Sequence, residues 1–168
     1  MPSGRSRNSE LTREHHSSIE RAVPGEAAIL TNIAHAAKRH WGYPDAWIQA
    51  WKEDLTLDQE YIRVQLVFTV RDPQPIGFYA IIPLEHEERW DLDHMWVHPS
   101  AMGHGHGRAL LHHAADQARK VGARGLRILS DPHAESFYLC MGATRVGRVE
   151  ASIDGVERWL PEMDLHLG

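Results

Sequence analysis

Apolar residues recur at three-to-four spacing in two long stretches of this chain and alternate with polar ones in most of the rest. From Glu26 to His40, Ala27, Leu30, Ile33, Ala34 and Ala37 share one face, which predicts an amphipathic helix. Trp41-Gly42-Tyr43-Pro44 ends it, because glycine stops helices and the residue before proline avoids helical geometry. A second helix is expected over Asp45 to Leu55, carrying Trp47, Ile48 and Trp51. Gln65 to Arg71 and Ile76 to Leu84 alternate and favour β-branched residues. Asp72-Pro73-Gln74-Pro75 between them is turn chemistry, so the two predict a hairpin. Arg89 to His98 reads as the next strand. Gly107 to Lys120 reads as a helix with Leu110, Leu111, Ala114, Ala115 and Ala118 inward. A buried strand over Arg124 to Ser130 and a short helix over Ala134 to Met141 follow. Ala143 to Ala151 and Arg158 to Leu167 then form a closing antiparallel pair around Ile153-Asp154-Gly155. With Ser18 to Val23 as a first strand, the order is β-α-α-β-β-β-α-β-α-β-β, and periodicity alone implies a mixed α+β fold.

At 168 residues the chain can bury a substantial core. Residues 1–16 are polar and aperiodic, and are expected to be a flexible tail before a single domain over 17–168. The net charge of −5 gives no electrostatic case for a nucleic-acid or acidic-membrane partner. No apolar run reaches the ~18 residues of a membrane span. The single cysteine, Cys140, allows no disulfide within the chain and is expected as a small buried residue. The N-terminus lacks an apolar signal core, so the expected location is the cytoplasm.

The strongest chemical signal is Val97-His-Pro-Ser-Ala-Met-Gly-His-Gly-His-Gly-Arg108, where an apolar strand ends, three glycines alternate and a helix opens. Glycines permit the turn and a close ligand approach, and the helix start aims unpaired N–H groups and a positive dipole end at whatever lies above. That is a phosphate or pyrophosphate site. The G-x-G-x-G spacing is neither the dinucleotide-fold fingerprint nor a nucleotide-triphosphate loop ending in Gly-Lys-Ser/Thr.

This loop and its flanks resemble the coenzyme A-binding core of the GCN5-related N-acetyltransferases. Met102-Gly103-His104-Gly105-His106-Gly107 occupies the place of that family's pyrophosphate motif. His133-Ala134-Glu135-Ser136-Phe137-Tyr138-Leu139-Cys140-Met141-Gly142-Ala143 matches its second motif, about 30 residues on. The resemblance is strong over 76–147. It departs at Met102, where the family usually has Gln or Arg, and at His133, where it usually has Asn.

The resemblance implies a mostly antiparallel central sheet with splayed strands and helices on both faces. It implies acetyl-CoA as co-substrate and transfer to a primary amine by direct attack in a ternary complex. The acceptor would be a small-molecule amine or a peptide, and a homodimer would form through the closing strands. Backbone groups of Met95, Trp96 and Val97 would pair with the pantetheine arm. The main chain of Gly103, His104, Gly105, His106, Gly107 and Arg108 would hold the pyrophosphate, with His133, Ala134, Phe137 and Tyr138 completing the cofactor site. Tyr138 matches the family's general acid toward the coenzyme sulfur, and Asp91 or Asp93, directly or through water, would be the base. The rival reading is a non-catalytic coenzyme A-binding or sensing module, which Met102 and His133 favour and Tyr138 opposes.

Strict alternation would put Asp91, Asp93, Met95 and Val97 on one face and Leu92, His94, Trp96 and His98 on the other. Seven of the thirteen histidines lie between His94 and His133. Those on the glycine loop would spread outward beside the phosphates rather than converge, so no metal is expected. Trp41, Tyr43, Trp47 and Trp51 are either core or the lip of an acceptor pocket.

Overall fold

The alternating segments pair into one seven-stranded sheet in the computed structural model, which describes residues 17–168. The strands are β1 (Ser18–Arg21), β2 (Leu66–Arg71), β3 (Pro75–Pro83), β4 (Arg89–Val97), β5 (Gly125–Leu129), β6 (Thr144–Glu150) and β7 (Trp159–His166). Their order across the sheet is β1-β2-β3-β4-β5-β7-β6, antiparallel at every junction except β4–β5. The tail expected over 1–16 lies outside the described residues.

The helices are α1 (Ala27–His40), α2 (Asp45–Ala50), α3 (Gln59–Val64), α4 (His106–Lys120) and α5 (Glu135–Cys140). α4 lays Leu110, Leu111, Ala114 and Ala118 on one face of the sheet, against Tyr79, Ile81, Leu126, Ile128 and Met163. α1 and α3 cover the other face, where Leu30, Ile33, Ala34 and Ile62 meet Val67, Phe78 and Ala80. Each fully buried Leu or Ile on these faces contributes roughly 1.5–3 kcal/mol. Both expected helical stripes are therefore the buried stripes.

Two helical expectations are corrected. The second helix stops at Ala50 and the chain continues to Leu55 in turns. A third helix, α3, was not expected. At six residues it is too short for a periodic pattern, and its start is fixed by Asp58, whose side chain accepts from the Tyr61 N–H at 2.7 Å.

β4 decides the shape of the centre. It pairs with β3 along its length, from Gly77↔Val97 to Pro83↔Trp90. With β5 it pairs only at Arg89↔Gly125, Trp90↔Leu126 and Asp91↔Arg127. Past Asp91 the two strands diverge, and the edge of β4 that faces β5 has no ladder partner among the described residues.

The register with β3 shifts between Ala80↔His94 and Ile81↔Leu92, which leaves Asp93 as an extra residue in a β-bulge. The bulge overturns the expected alternation. Leu92, Met95 and Val97 pack together on the α4 side, while Trp96 packs on the α1 side and His94 faces Phe78. No helix among the described residues is long and apolar enough to cross a membrane.

Candidate active site

The glycine loop closes over the divergence of β4 and β5. After Val97, the His98 ring nitrogen accepts from the Ser100 N–H at 3.2 Å and starts a single 3-10 turn over Pro99–Ala101. Gly103 and Gly105 then take φ values of +79° and +82°, and Gly105 is the residue from which α4 begins. A Cβ at either would meet open space, so backbone conformation rather than crowding requires glycine there. The first-turn N–H groups of α4 have no partner within the helix and carry the positive end of its dipole.

Above this helix start is a cavity of about 350 Å³ walled by Met95, Val97, Met102, Gly103, Gly105, His106, Gly107, Arg108, His133, Ala134 and Phe137. Most of the residues expected to bind cofactor thus come together. Trp96 and His104, expected to act through their main chain, turn their side chains away from this cavity. Trp96 points through the sheet to the α1 side, and the His104 ring turns back to the Ala101 carbonyl at 3.3 Å. Trp41, from the break after α1, closes the cavity and stacks on His133, with ring centroids 5.1 Å apart and planes within 4°.

Between the diverging strands the space narrows to about 140 Å³, with Met95, Met102, Ile128, Ala134 and Tyr138 on its walls. Tyr138 is 6% exposed. Burial first, and the charge of Asp131 second, raise its hydroxyl pKa, so it holds its proton at neutral pH. Cys140, expected to be buried, is exposed. About 100° per residue carries it away from the inward face that Tyr138 occupies on α5.

The gap opens on the α1 side into a cavity of about 580 Å³. Leu92, Asp93, Trp96, Leu129 and Asp131 line both spaces, so the cleft passes through the sheet. Asp91 is buried and accepts from Arg127 Nε at 2.9 Å. Asp93, on the bulge, is a third exposed and accepts a hydrogen bond from the Tyr61 hydroxyl. His94 Nδ1 accepts from the Trp96 indole at 3.0 Å, which leaves the ring proton on Nε2, 3.8 Å from Asp93. Burial lowers the His94 pKa, so the ring is neutral at pH 7.

Asp131, at the end of β5, gathers Lys38 Nζ at 2.6 Å, the Tyr43 hydroxyl at 2.9 Å and Arg158 Nη2 at 3.4 Å. Burial pushes its carboxyl upward, but the hydrogen bond and charge of Lys38 outweigh that and hold it below the usual range. Trp51 lines the larger cavity, and Tyr43 packs beside it at 5.0 Å. Both are half-buried, and Trp51 also packs against the α1-side core.

Tyr61, His94, Lys38, Asp131 and Arg158 escaped the sequence reading. They lie on five separate segments, and only Asp131-Pro132, a helix-capping pair, carries a local signal. No group of three His, Cys, Asp or Glu side chains among the described residues could hold a metal ion.

The sheet is mostly antiparallel and parts between its two parallel strands, with a glycine loop and helix start over the parting, the frame of an acyltransferase family. The chain belongs to the acetyltransferase (GNAT) family, whose profile matches residues 29–143, and it is an acetyl-CoA-dependent acetyltransferase. Solved structures share the fold. A GCN5-related N-acetyltransferase from Rhodopseudomonas palustris superposes with a TM-score of 0.72 at 22% identity, covering 89% of this chain and 95% of its own. A GNAT family acetyltransferase from Brucella melitensis, in complex with acetyl-CoA, gives 0.64 at 23% identity, covering 92% and 90%. The ribosomal-protein-S18-alanine N-acetyltransferase of Escherichia coli gives 0.65 at 19%, covering 90% and 94%. No curated protein shows significant sequence similarity to the chain.

Proposed function

We propose that this enzyme moves the acetyl group of acetyl-CoA onto a primary amine by direct attack, with donor and acceptor bound together on opposite faces of the sheet. The observation that carries this reading is the through-going cleft, with Tyr138 on its walls and Asp93 lining it through to the α1 side.

The residues present suit the co-substrate. The unpaired N–H groups from Gly103 to Arg108 would hold the pyrophosphate, helped by the cationic Arg108 beside them. The free edge of β4 from Met95 to Val97 offers backbone groups to the pantetheine amides, as an added strand would use them. Met102, Ala134 and Phe137 give that arm apolar walls. With no charge from Met102, the main chain carries the phosphate contacts. When bound, acetyl-CoA supplies the activated acyl carbon and a thiolate leaving group.

Asp93 is the base of choice, because Asp91 is already engaged by Arg127. Asp93 would take the proton that makes the acceptor ammonium a free amine, directly or through water. The Tyr61 hydroxyl holds its carboxylate in place. The amine nitrogen then bonds to the acyl carbon as the carbon–sulfur bond breaks, the Tyr138 hydroxyl donates its proton to the departing sulfur, and the proton that the nitrogen sheds as it becomes an amide returns to Tyr138 through water. We place the enzyme in the cytoplasm, acting on small-molecule or peptide amines and not on nucleic acid, consistent with the net charge of −5. The outer edge of β6, unpaired among the described residues, is the proposed seam of a homodimer.

The test is the thermal midpoint with and without acetyl-CoA, followed by thiol release with a panel of amines. A ligand at 100 times its Kd stabilises by about 2.7 kcal/mol, a shift of several degrees. A shift with acetyl-CoA or coenzyme A together with amine-dependent thiol release is the expected result. No shift with either overturns the reading, and a shift without turnover for any amine leaves a sensing module in its place.

A further inference from the structure

Lys38, Arg158 and Asp131 meet on the wall of the larger cavity, and each side chain keeps only 10% or less of its surface exposed. Two buried cations therefore share one carboxylate. Asp131 is saturated: Lys38 and Arg158 both reach Oδ2, while the Tyr43 hydroxyl and the His133 N–H reach Oδ1. Arg158 uses Nη2 alone, for Tyr43 at 3.2 Å and Asp131 at 3.4 Å. Its Nε and Nη1 make no hydrogen bond among the described residues. The rings of Trp51 and Tyr43 flank both cations, with Lys38 Nζ 4.2 Å and the Arg158 guanidinium carbon 4.9 Å from the Trp51 centroid. The rings fix the cations in place but do not cancel their charge.

The acidic residues of the same cavity do not fill this role. Glu53 and Asp54 are exposed, Asp91 belongs to Arg127, and Asp93 is held by Tyr61. An excess buried positive charge with free guanidinium donors is suited to an anion from outside. The planar fork of arginine matches a carboxylate in particular.

We propose that the acceptor is an amino-carboxylate, a free amino acid or a close relative, whose carboxylate docks on Arg158 and Lys38 while its amine faces Asp93 across the cleft. The cavity, at about 580 Å³, is within the roughly 300–1,000 Å³ of small-ligand sites. A polyamine or a basic side chain would bring a second cation against Lys38 and Arg158, so the same residues select against it. The inference rests on the cavity being the acceptor site of the proposed transfer, and the reaction is otherwise unchanged.

The test is thiol release from acetyl-CoA with the common L-amino acids, their α-carboxamides, and putrescine and spermidine, all at matched concentration. At least one amino acid should be turned over, and its carboxamide should lose about 30-fold or more in kcat/KM, the cost of stranding a buried cation. Arg158→Met should raise the KM for that amino acid by a similar factor with a smaller change in kcat, and Arg158→Lys should recover part of it. The thermal shift with acetyl-CoA should persist in both variants. Carboxamides or polyamines used as well as the amino acids would overturn the proposal, and so would an enzyme that binds acetyl-CoA and acetylates none of the amino acids. The carboxamide comparison uses the unaltered protein and does not depend on either variant folding. Loss of the acetyl-CoA shift in the unaltered protein would instead remove the reading beneath it.

Discussion

Asp91 and Arg127 are the last residues that pair across β4 and β5, and their side chains lock that final rung with an ion pair of 2.9 Å. Everything the cleft does begins one residue further on, where the strands part. Replacing Asp91 by Asn keeps the shape but removes the charge from a buried position facing Arg127. It should cost about 1–3 kcal/mol of stability, read by denaturant unfolding. Acetyl-CoA should still shift the midpoint, since Asp91 lies outside the walls of the cofactor cavity. A variant as stable as the parent would show that the rung is held by its backbone bonds alone.

Gly105 turns the chain into α4 with φ at +82°. Gly105→Ala meets no steric obstacle, so its cost is the left-handed backbone alone, about 1–2 kcal/mol. Relief of that strain would re-aim the first N–H groups of the helix. The acetyl-CoA Kd, measured by calorimetry, should rise about tenfold for each 1.4 kcal/mol by which phosphate binding weakens. An unchanged Kd would place the pyrophosphate elsewhere.

Tyr138→Phe removes one hydroxyl from a buried ring and leaves its packing in place. The rate of thiol release should fall about 100-fold or more, with the acetyl-CoA Kd little changed, as for loss of a general acid. Asp93→Asn should lower kcat/KM most at neutral pH and less at high pH, where the free amine no longer needs a base. Equal loss at all pH values would assign Asp93 to substrate placement.

His94 is buried neutral, with its pKa lowered by burial. The unfolded chain binds a proton near pH 6.5 that the folded chain refuses, so stability is complete above 6.5 and declines as pH falls toward the folded value. His35 and His113 act with the same sign. Asp131, with its carboxyl held low, adds a second loss only below about pH 4. Urea unfolding between pH 7 and 5 should show the first decline, and His94→Gln should flatten it. A slope unaffected by that change would assign the titration to the other two histidines.

The proposed cofactor half was legible because its parts are contiguous. The loop from Val97 to Arg108 is a strand end, three glycines and a helix start in a row. The second motif puts Phe137 and Tyr138 on one short helix. Local chemistry of this kind survives in a linear reading. The β4 bulge does not, because Asp91-Leu92-Asp93-His94-Met95 reads as unbroken alternation. Only the register with β3 shows the extra residue at Asp93.

By itself the sequence determined the helical stripes, most strand positions, the glycine loop at the start of α4 and the place of Tyr138 on α5. Each depends on neighbours a few residues apart. The tertiary structure alone decided where β4 and β5 separate, that Asp91 pairs with Arg127 while Asp93 meets Tyr61, and which charges line the larger cavity. Lys38 reaches Asp131 across 93 positions and Arg158 reaches Tyr43 across 115. No periodicity spans such distances. The charge of the larger cavity is a product of the fold, set when the sheet brings remote side chains to one wall.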